Sequence, residues 1–226
     1  MTGLKSNGGA PGMNGSDSIL RSIPTELLRA VRLTLVIAVV TGLIYPLVIT
    51  GISQVAFHDQ ANGSLIVKNG QLVGSKLIGQ NFTDPKYFFG RPSATANSSD
   101  ATKADPYNAE NSAGSNLAPS NKALIDRVSK AVDQIRKENN LPADSLVPVD
   151  LVTTDFSGFD PDITEAGALT QVNHVATARN LDPAKVRTLV EKYVQGRVLG
   201  VFGEPHVNVL ELNLDLDRTA PLLPVK

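Results

Sequence analysis

The chain contains no cysteine and no tryptophan among its 226 residues. Without cysteine it can form neither a disulfide framework nor a metal site built on thiolates. The 21 lysine and arginine residues are balanced by 22 aspartate and glutamate residues, and the formal net charge is −1. A chain without excess positive charge lacks the electrostatic footprint of a protein that binds nucleic acid.

Motifs for nucleotide binding and nucleophilic catalysis are missing too. The sequence has neither the phosphate loop G-x-x-x-x-G-K-[ST] nor the dinucleotide fingerprint G-x-G-x-x-G. It has no S-x-x-K pair and no G-x-S-x-G elbow. His58, His174 and His206 are scattered without the spacing of metal ligands. We interpret His174, which lies beside an apolar helix stripe, as a structural histidine.

One long apolar segment is present. Residues 33–57 carry no charged side chain and are rich in leucine, isoleucine and valine. At about 1.5 Å per residue, a helix of this length reaches about 37 Å, which exceeds the hydrocarbon core of about 30 Å. Gly42, Pro46 and Gly51 are tolerated in a membrane helix when neighbouring groups compensate for them. The segment therefore predicts one membrane span.

Two other interpretations of this segment are a cleaved signal peptide and a buried core helix. A signal peptide has an apolar stretch of about 7–15 residues near the N-terminus. This stretch is longer and begins only after residue 32, although Gly51-Ile52-Ser53 weakly resembles a cleavage site. Core helices seldom run this far without a charge. The membrane span remains the favoured interpretation.

Flanking charges predict the orientation of the span. Arg29 and Arg32 lie against its N-terminal end, whereas His58 and Asp59 follow its C-terminal end. Basic residues are retained on the cytoplasmic side of a membrane. We therefore expect a protein of the cell (inner) membrane with its N-terminus in the cytoplasm and the bulk of the chain on the extracytoplasmic side.

The chain then divides into three parts. Residues 1–22 begin with a stretch rich in glycine, serine and asparagine and are predicted to form a disordered cytoplasmic tail. Residues 23–57 form the transmembrane helix with its basic flank. Residues 58–226 are long enough for a single extracytoplasmic domain with its own core.

Periodicity and turn residues predict a small mixed α/β domain of the α+β class after the span. Helix capping and strand alternation place its elements. The predicted elements are a hairpin about Asn69-Gly70, a helix capped by Ser120, a strand over 147–153, helices after Asp162 and Asp182, and a strand over 207–214.

A long polar segment, residues 91–120, separates the hairpin from the first predicted helix of the domain. It is rich in amide and hydroxyl side chains, and Tyr107 is its one large aromatic residue. A structureless stretch of this length in a compact domain is either functional or disordered. Its polar side chains can bind a partner or hold the segment against its own domain, and the residue types favour neither.

Several long motifs make the chain recognisable from near Ile23 onward. It resembles the C subunit of the potassium-transporting Kdp P-type ATPase. Residues 112–115 depart from the family, which usually has two glycines there, and residues 154–159 are bulkier than the usual run. The motifs that carry the resemblance are TGLIYPLVITGISQVAF, GSKLIGQNFTDPKYFFGRPSA, YNAENSAGSNLAPSN, DLVTTDFSGFDPDIT, QVNHVATARNL and LGVFGEPHVNVLELNLDLD.

The resemblance implies a noncatalytic, single-pass membrane subunit with no cofactor of its own. Its implied partners are a channel-like potassium subunit and an ATP-hydrolysing pump subunit, which handle potassium and ATP, together with membrane lipid. The family is also described as a catalytic chaperone that raises the ATP affinity of the pump subunit. Because the ATP chemistry is cytoplasmic and this domain is expected outside, we expect that effect to be indirect.

Within this family, we expect the segment 91–120 to dock on a partner subunit, with Tyr107 as its anchor. Asn108 and Asn116 can satisfy exposed backbone groups of the partner. Arg91 and Gln171, a polar residue beside the stripe of the second domain helix, complete the predicted partner-binding set.

Two other function classes remain open. An anchored enzyme would need histidine, serine and carboxylate side chains that converge in the fold. A free-standing solute-binding domain would need a closed apolar pocket.

Overall fold

The computed structural model describes residues 15–221, with side chains from residue 23 onward. The chain divides into two compact units, one ending at Ala61 and the other beginning at Asn62. Helix α1 begins at Gly15, so residues 15–22 of the predicted disordered tail are helical. The remainder of that predicted tail lies outside the described residues.

The first unit is a helical rod. Helix α1 (Gly15–Val39), a single π-helical turn (Val40–Ile44) and α2 (Tyr45–Ala56) are continuous, and a short helix α3 (His58–Ala61) follows. The 34 residues of Ile23–Ala56 are long and apolar enough to cross a membrane, and none of them is buried within the protein. This is the one candidate span among residues 15–221, and it agrees with the predicted one.

The π-helical turn lies beside Pro46. Proline donates no backbone hydrogen bond, so an α-helix cannot pass through it undisturbed. The Tyr45 backbone N–H donates to the Val40 carbonyl, which is one residue further back than in an α-helix. The Thr41 hydroxyl donates to the Ile37 carbonyl at 2.8 Å. The Tyr45 N–H and the Thr41 hydroxyl are thus paired within the helix, as groups in a membrane span must be.

The second unit opens with the predicted hairpin. Strands β1 (Leu65–Lys68) and β2 (Gln71–Ser75) pair antiparallel, with Lys68 opposite Gln71. The turn residues Asn69 and Gly70 have φ angles of 53° and 78°. Asparagine and glycine tolerate positive φ, so this prediction is confirmed.

All three predicted helices of the domain are present. Helix α4 (Lys122–Glu138) is capped by Asn121, one residue after the predicted Ser120. Helix α5 (Glu165–Arg179) is capped by Thr164 and ends at Asn180 in the left-handed conformation. Helix α6 (Pro183–Tyr193) has the predicted cap, the Asp182 side chain, which accepts from the Ala184 backbone N–H at 2.9 Å.

The predicted strand over 147–153 is wrong. The region forms a short 3₁₀ turn, Val149–Leu151, instead. Asp150 is buried, and its Oδ2 accepts a hydrogen bond from the Thr164 backbone N–H at 2.6 Å. Because Asp150 and its neighbour Leu151 both point inward, the alternation of a half-buried strand is lost.

The predicted strand over 207–214 is wrong beyond residue 208. Strand β5 (His206–Asn208) is followed at once by helix α7 (Val209–Thr219). The Asn208 Oδ1 accepts from the Glu211 backbone N–H at 3.1 Å and caps the helix. Buried residues at 209, 212 and 216 have helical spacing, which competes with the alternation of leucines in the same segment.

A three-stranded antiparallel sheet supports the helices. Its order is β3 (Asp162–Thr164), β5 and β4 (Val194–Gln195), with Val207 opposite both Ile163 and Val194. The domain therefore has the predicted α+β class. The core contains Phe88, Ile163, Ala168, Val172, Val175, Ala176, Val186, Val190, Val207, Val209, Leu212 and Leu216.

Two buried side-chain amides tie the segment before the polar loop to the helices. The Asn213 Oδ1 accepts from the Phe88 N–H at 2.9 Å, and its Nδ2 donates to the Phe88 carbonyl at 2.9 Å. Gln171 makes the same pair of bonds with Phe89, at 2.8 and 3.1 Å. Arg179, which is fully buried, donates to the Lys86 carbonyl at 2.6 Å. The side chains of Asn213, Gln171 and Arg179 thus give the backbone of residues 86–89 the hydrogen-bond partners that a neighbouring strand would otherwise provide.

Candidate functional site

The predicted docking segment is pinned to its own domain by hydrogen bonds. Between β2 and α4 the described chain forms neither a helix nor a strand. The Ser93 hydroxyl donates to the Gly158 carbonyl at 2.5 Å and accepts from the Tyr107 N–H at 3.0 Å. The buried Thr95 hydroxyl donates to the Asp105 carbonyl at 2.6 Å. Hydrogen bonds made by the Ser93 and Thr95 hydroxyl groups thus hold this segment in place, as backbone hydrogen bonds would hold a β-strand.

Tyr107 is built into the domain. Its hydroxyl donates to the Arg91 carbonyl at 2.6 Å. The ring passes so close to Gly79 that a Cβ at that position would lie 2.5 Å from Cε1, and its hydroxyl leaves no room for a Cβ at Gly90. Burial raises the pKa of Tyr107 well above its usual value, and the charges of two nearby aspartates add to the shift. The ring therefore serves internal packing.

The polar groups of Arg91 and Asn108 are also used inside the domain. The Arg91 Nη1 lies 3.3 Å from the Asp160 Oδ2, and Nη2 lies 3.4 Å from the Thr154 carbonyl. The Asn108 Nδ2 donates to the Ala96 carbonyl at 3.1 Å. Both side chains hold neighbouring loops together in this structure.

Gln171 is 2% exposed, and both ends of its amide bind Phe89. A partner could reach it only if that pairing were broken, so its position argues against the predicted contact. Asn116, at φ 50°, is the one exposed residue of the predicted set. The structure therefore brings Arg91 and Tyr107 together and leaves Asn116 on the surface.

Phe156 is an exposed aromatic residue that the sequence reasoning missed. Its side chain is 94% exposed, and with Asn116 it lines the same shallow depression. The loop backbone is fixed, because the Asp155 Oδ2 accepts from the Gly158 N–H at 2.9 Å. Gly114 lies against it, where a Cβ would be 3.2 Å from the Phe156 Cα. The sequence feature that could have drawn attention to Phe156 is that residues 154–159 are bulkier than the run that the resembled family usually has.

A cavity of about 600 Å³ that is partly open to solvent lies between α4, α5 and the segment 81–93, so it is not the closed pocket expected of a solute-binding domain. The His174 Nδ1 lies 2.8 Å from the Glu138 carbonyl, so this nitrogen carries the proton, as expected for a structural histidine. Its Nε2 is buried and has no hydrogen-bond partner among the described residues. The cavity can hold a small apolar solute with one polar group. Its principal walls are Phe82, Phe89, Arg91, Tyr107, Ile135 and Leu151.

Elsewhere in the described part of the chain, the His206 Nε2 lies 4.0 Å from the Asp162 Oδ2. Residues 15–221 contain no group of three or more histidine, aspartate or glutamate side chains placed to hold a metal ion. Among the histidines, His206 places its Nδ1 2.9 Å from the Glu204 carbonyl.

Known proteins match the chain along most of its length. The family described as K+-transporting ATPase, c chain, matches residues 27–218. Proteins named potassium-transporting ATPase KdpC subunit are similar to it in three bacteria. The one from Bradyrhizobium diazoefficiens is 54% identical over 199 residues, which cover 86% of this chain and 98% of that protein. Those from Dechloromonas aromatica and Koribacter versatilis are 50% and 47% identical, each over 87% of this chain and over 98% and 96% of their own lengths.

Proposed function

This chain belongs to the family of the K+-transporting ATPase c chain, and on that basis we propose that it is a noncatalytic subunit of an ATP-driven potassium import complex. The observation that carries the proposal is one long, unburied apolar helix joined to a domain, with a family match that covers residues 27–218. The proposed partners are a channel-like potassium subunit and an ATP-hydrolysing pump subunit. ATP and potassium are bound by those partners.

The proposed topology places the N-terminus in the cytoplasm and the domain outside the membrane. Arg29 and Arg32 near the start of the apolar segment support it, as do the uncharged residues up to Phe57. In this arrangement a membrane separates the domain from cytoplasmic ATP.

Assembly is the role that the exposed surface supports best. Asn116 and Phe156 present an amide and an aromatic ring side by side on fixed loops. Interface energy is concentrated in a few such anchors. We assign the docking role to this pair, with Arg91, Tyr107, Asn108 and Gln171 holding the loops beneath and beside it.

Any effect on the ATP affinity of the pump is then a coupling free energy. Such couplings are typically about 1–3 kcal/mol, which corresponds to a change of roughly 5–150-fold in affinity. The chain acts as a catalytic chaperone by favouring the pump conformation that binds ATP. It does so without contacting the nucleotide.

The proposal is tested by measuring the KM for ATP of the purified complex with and without this chain. The KM for ATP should rise severalfold when the chain is removed from an otherwise intact complex. In parallel, the full chain in detergent is titrated with ATP by calorimetry. An unchanged KM would refute the coupling, and saturable binding with a Kd below about 100 μM, or roughly −5.5 kcal/mol, would refute its indirect nature.

The cavity beside His174 favours a second candidate, an anchored solute-binding domain. Its volume lies within the range of small-molecule sites, and its walls combine aromatic rings with an unpaired ring nitrogen. Equilibrium dialysis of the full chain against a labelled mixture of aromatic alcohols would detect such binding. This candidate is compatible with membership in the family.

A further inference from the structure

A small hairpin between β4 and β5 carries an apolar tip that the domain does not use. Val198 and Phe202 pair across it, with Val198 N–H donating to the Phe202 carbonyl at 2.9 Å and Phe202 N–H to the Val198 carbonyl at 3.0 Å. Exposure is 66% for Val198, 86% for Leu199, 71% for Val201 and 65% for Phe202. Four large apolar side chains thus stand in water on one short turn.

Leu199 adopts a conformation that leucine disfavours. Its φ is 54°, in the left-handed region where glycine and asparagine are at ease. The side chain gains nothing inside the domain in return, because it is almost fully exposed. A strained and unpacked leucine points to a contact outside the domain.

We infer that the apolar tip, residues 198–202, inserts into the lipid surface of the membrane that anchors the chain. A rigid protein partner would cover one side of the tip and leave the other wet. Side chains exposed on every side of a turn suit a fluid apolar phase instead. The inference rests on the membrane anchoring of the chain and does not depend on assembly with pump subunits.

Four of the five backbone N–H groups of the tip are paired within the hairpin, and the Leu199 N–H is the exception. Lipid cannot satisfy backbone N–H groups, so an inserted segment must pair its own. Besides the Val198 and Phe202 bonds, Gly200 N–H donates to the Arg197 carbonyl at 3.1 Å, and Val201 N–H donates to the Val198 carbonyl at 3.2 Å.

Charge is confined to the base of the hairpin. Arg197 and Glu204 form an ion pair of 2.6 Å there, and no charged residue lies between them. Because the Gly200 N–H bonds to the Arg197 carbonyl, residues 197–200 form a tight turn whose end Cα atoms lie less than about 7 Å apart. A turn of this size fits within the depth of about 5–10 Å at which interfacial segments bury their apolar faces.

Tethering keeps lipid within reach of the tip. The apolar helix ends at Ala56, and the second compact unit begins at Asn62. Six residues span at most about 20 Å. A domain of this size has a radius of gyration of about 15 Å. Every part of its surface is therefore held within a few tens of ångströms of the bilayer.

The absence of cysteine allows a direct test. Val201→Cys creates the single thiol of the full chain, which is labelled with an environment-sensitive fluorophore and placed alone in phosphatidylcholine nanodiscs. The label should shift to shorter wavelength and lose more than half of its emission when the lipid carries a nitroxide near its headgroup. Phe156→Cys, at a position that is 94% exposed against 71% for Val201, should show neither change.

A second substitution separates lipid contact from folding. Leu199→Asn, added to Val201→Cys, suits the left-handed backbone and removes the apolar side chain. It should reduce the quenching severalfold while the midpoint of urea unfolding stays the same or rises. A lowered midpoint would assign Leu199 a structural role and overturn the inference.

The remaining outcomes are equally decisive. Equal quenching of the labels at positions 201 and 156 would mean that the domain meets the bilayer in no preferred orientation. Absence of quenching at both positions would exclude insertion of the tip. A label at position 201 that becomes protected only when the pump subunits are added would identify a protein as the occupant. Each of these results overturns the inference, and none of them contradicts the ATPase assignment.

Discussion

Two aromatic residues on adjacent loops have opposite surroundings. Tyr107 is enclosed by backbone at Gly79 and Gly90 and bonds to the Arg91 carbonyl, whereas Phe156 projects into solvent. An aromatic side chain stabilises the fold where it is packed and stabilises an interface where it is exposed. The two residues can therefore be separated by substitution.

Phe156→Ala should weaken assembly with the partner subunits by about 2 kcal/mol or more, the scale of an interface hot spot. Copurification from solubilised membranes measures the loss. The midpoint of urea unfolding should stay unchanged, because the ring makes little contact within the domain. Tyr107→Phe is the matched control: it should lower stability by about 1 kcal/mol through the lost hydrogen bond and leave assembly intact. The reverse pattern would restore Tyr107 as the docking residue.

Asp215 predicts an acid dependence of stability. Burial would raise the pKa of its carboxyl, but hydrogen bonds from Lys192 and Arg218 outweigh burial and hold that pKa below its ordinary value of 3.8. The Lys192 Nζ lies 2.8 Å away, and the Arg218 Nε lies 2.6 Å away. A carboxyl with a lowered pKa in the folded state stabilises the fold above pH 3.8, and that stability is lost as the pH falls through the folded-state pKa.

Asp215→Asn should therefore cost about 2 kcal/mol at neutral pH, the scale of hydrogen bonds to a charged group. The difference from the unmodified chain should shrink toward zero as the pH falls below 3.8 and through the folded-state pKa of Asp215. Urea unfolding across this pH range measures it. A difference that persists in acid would mean that the carboxylate charge is not the source.

At the scale of elements, local signals predicted those parts of the fold that begin or end on a cap or a tight turn. Asn69-Gly70 placed the hairpin, and Asn180 and Asp182 placed the boundary between α5 and α6. The segment from 207 could not be predicted as readily. Its leucines alternate as in a strand, and the choice of helix depends on the Asn208 cap and on apolar contacts supplied by distant elements.

Tertiary contacts also decided the candidate site. The residues next to Tyr107 in the sequence do not predict that two glycines enclose its ring, because one of them, Gly79, lies 28 positions earlier. Gln171 looked like a surface amide beside an apolar stripe, but it is the partner of a backbone segment 82 residues away. Sequence periodicity indicates which face of a helix or strand is apolar. It does not indicate which distant polar side chain forms hydrogen bonds with the backbone of a buried segment.

Thr164 links strand β3 to helix α5, and its hydroxyl accepts from the Gly167 N–H at 2.9 Å. Thr164→Ala should lower stability by about 1 kcal/mol because an N-terminal donor of α5 loses its acceptor. Thr164→Ser keeps the acceptor and should recover most of that loss. Thermal unfolding of the two variants makes the comparison. Equal losses would show that the threonine methyl group, and not the cap, is what matters.

At the scale of the whole molecule, the proposed topology predicts different exposure of the two ends. Protease added to intact spheroplasts should digest the domain and leave the residues before Arg29 protected. Antibodies against tags at either end distinguish the products. A fully protected domain would contradict the topology, and a mature chain beginning near Ala56 would reveal cleavage of the apolar segment.

The pairing of Phe88 with Asn213 has a consequence for the order of events in the cell. These residues are separated by 125 positions. The core therefore cannot close before the segment that contains Asn213 has been synthesised, and contacts of this sequence separation form slowly. With the proposed topology, the domain residues before Asn213 would cross the membrane before the core can close. A premature stop codon after Asn208 would delete a wall of the core, and the truncated product would be degraded.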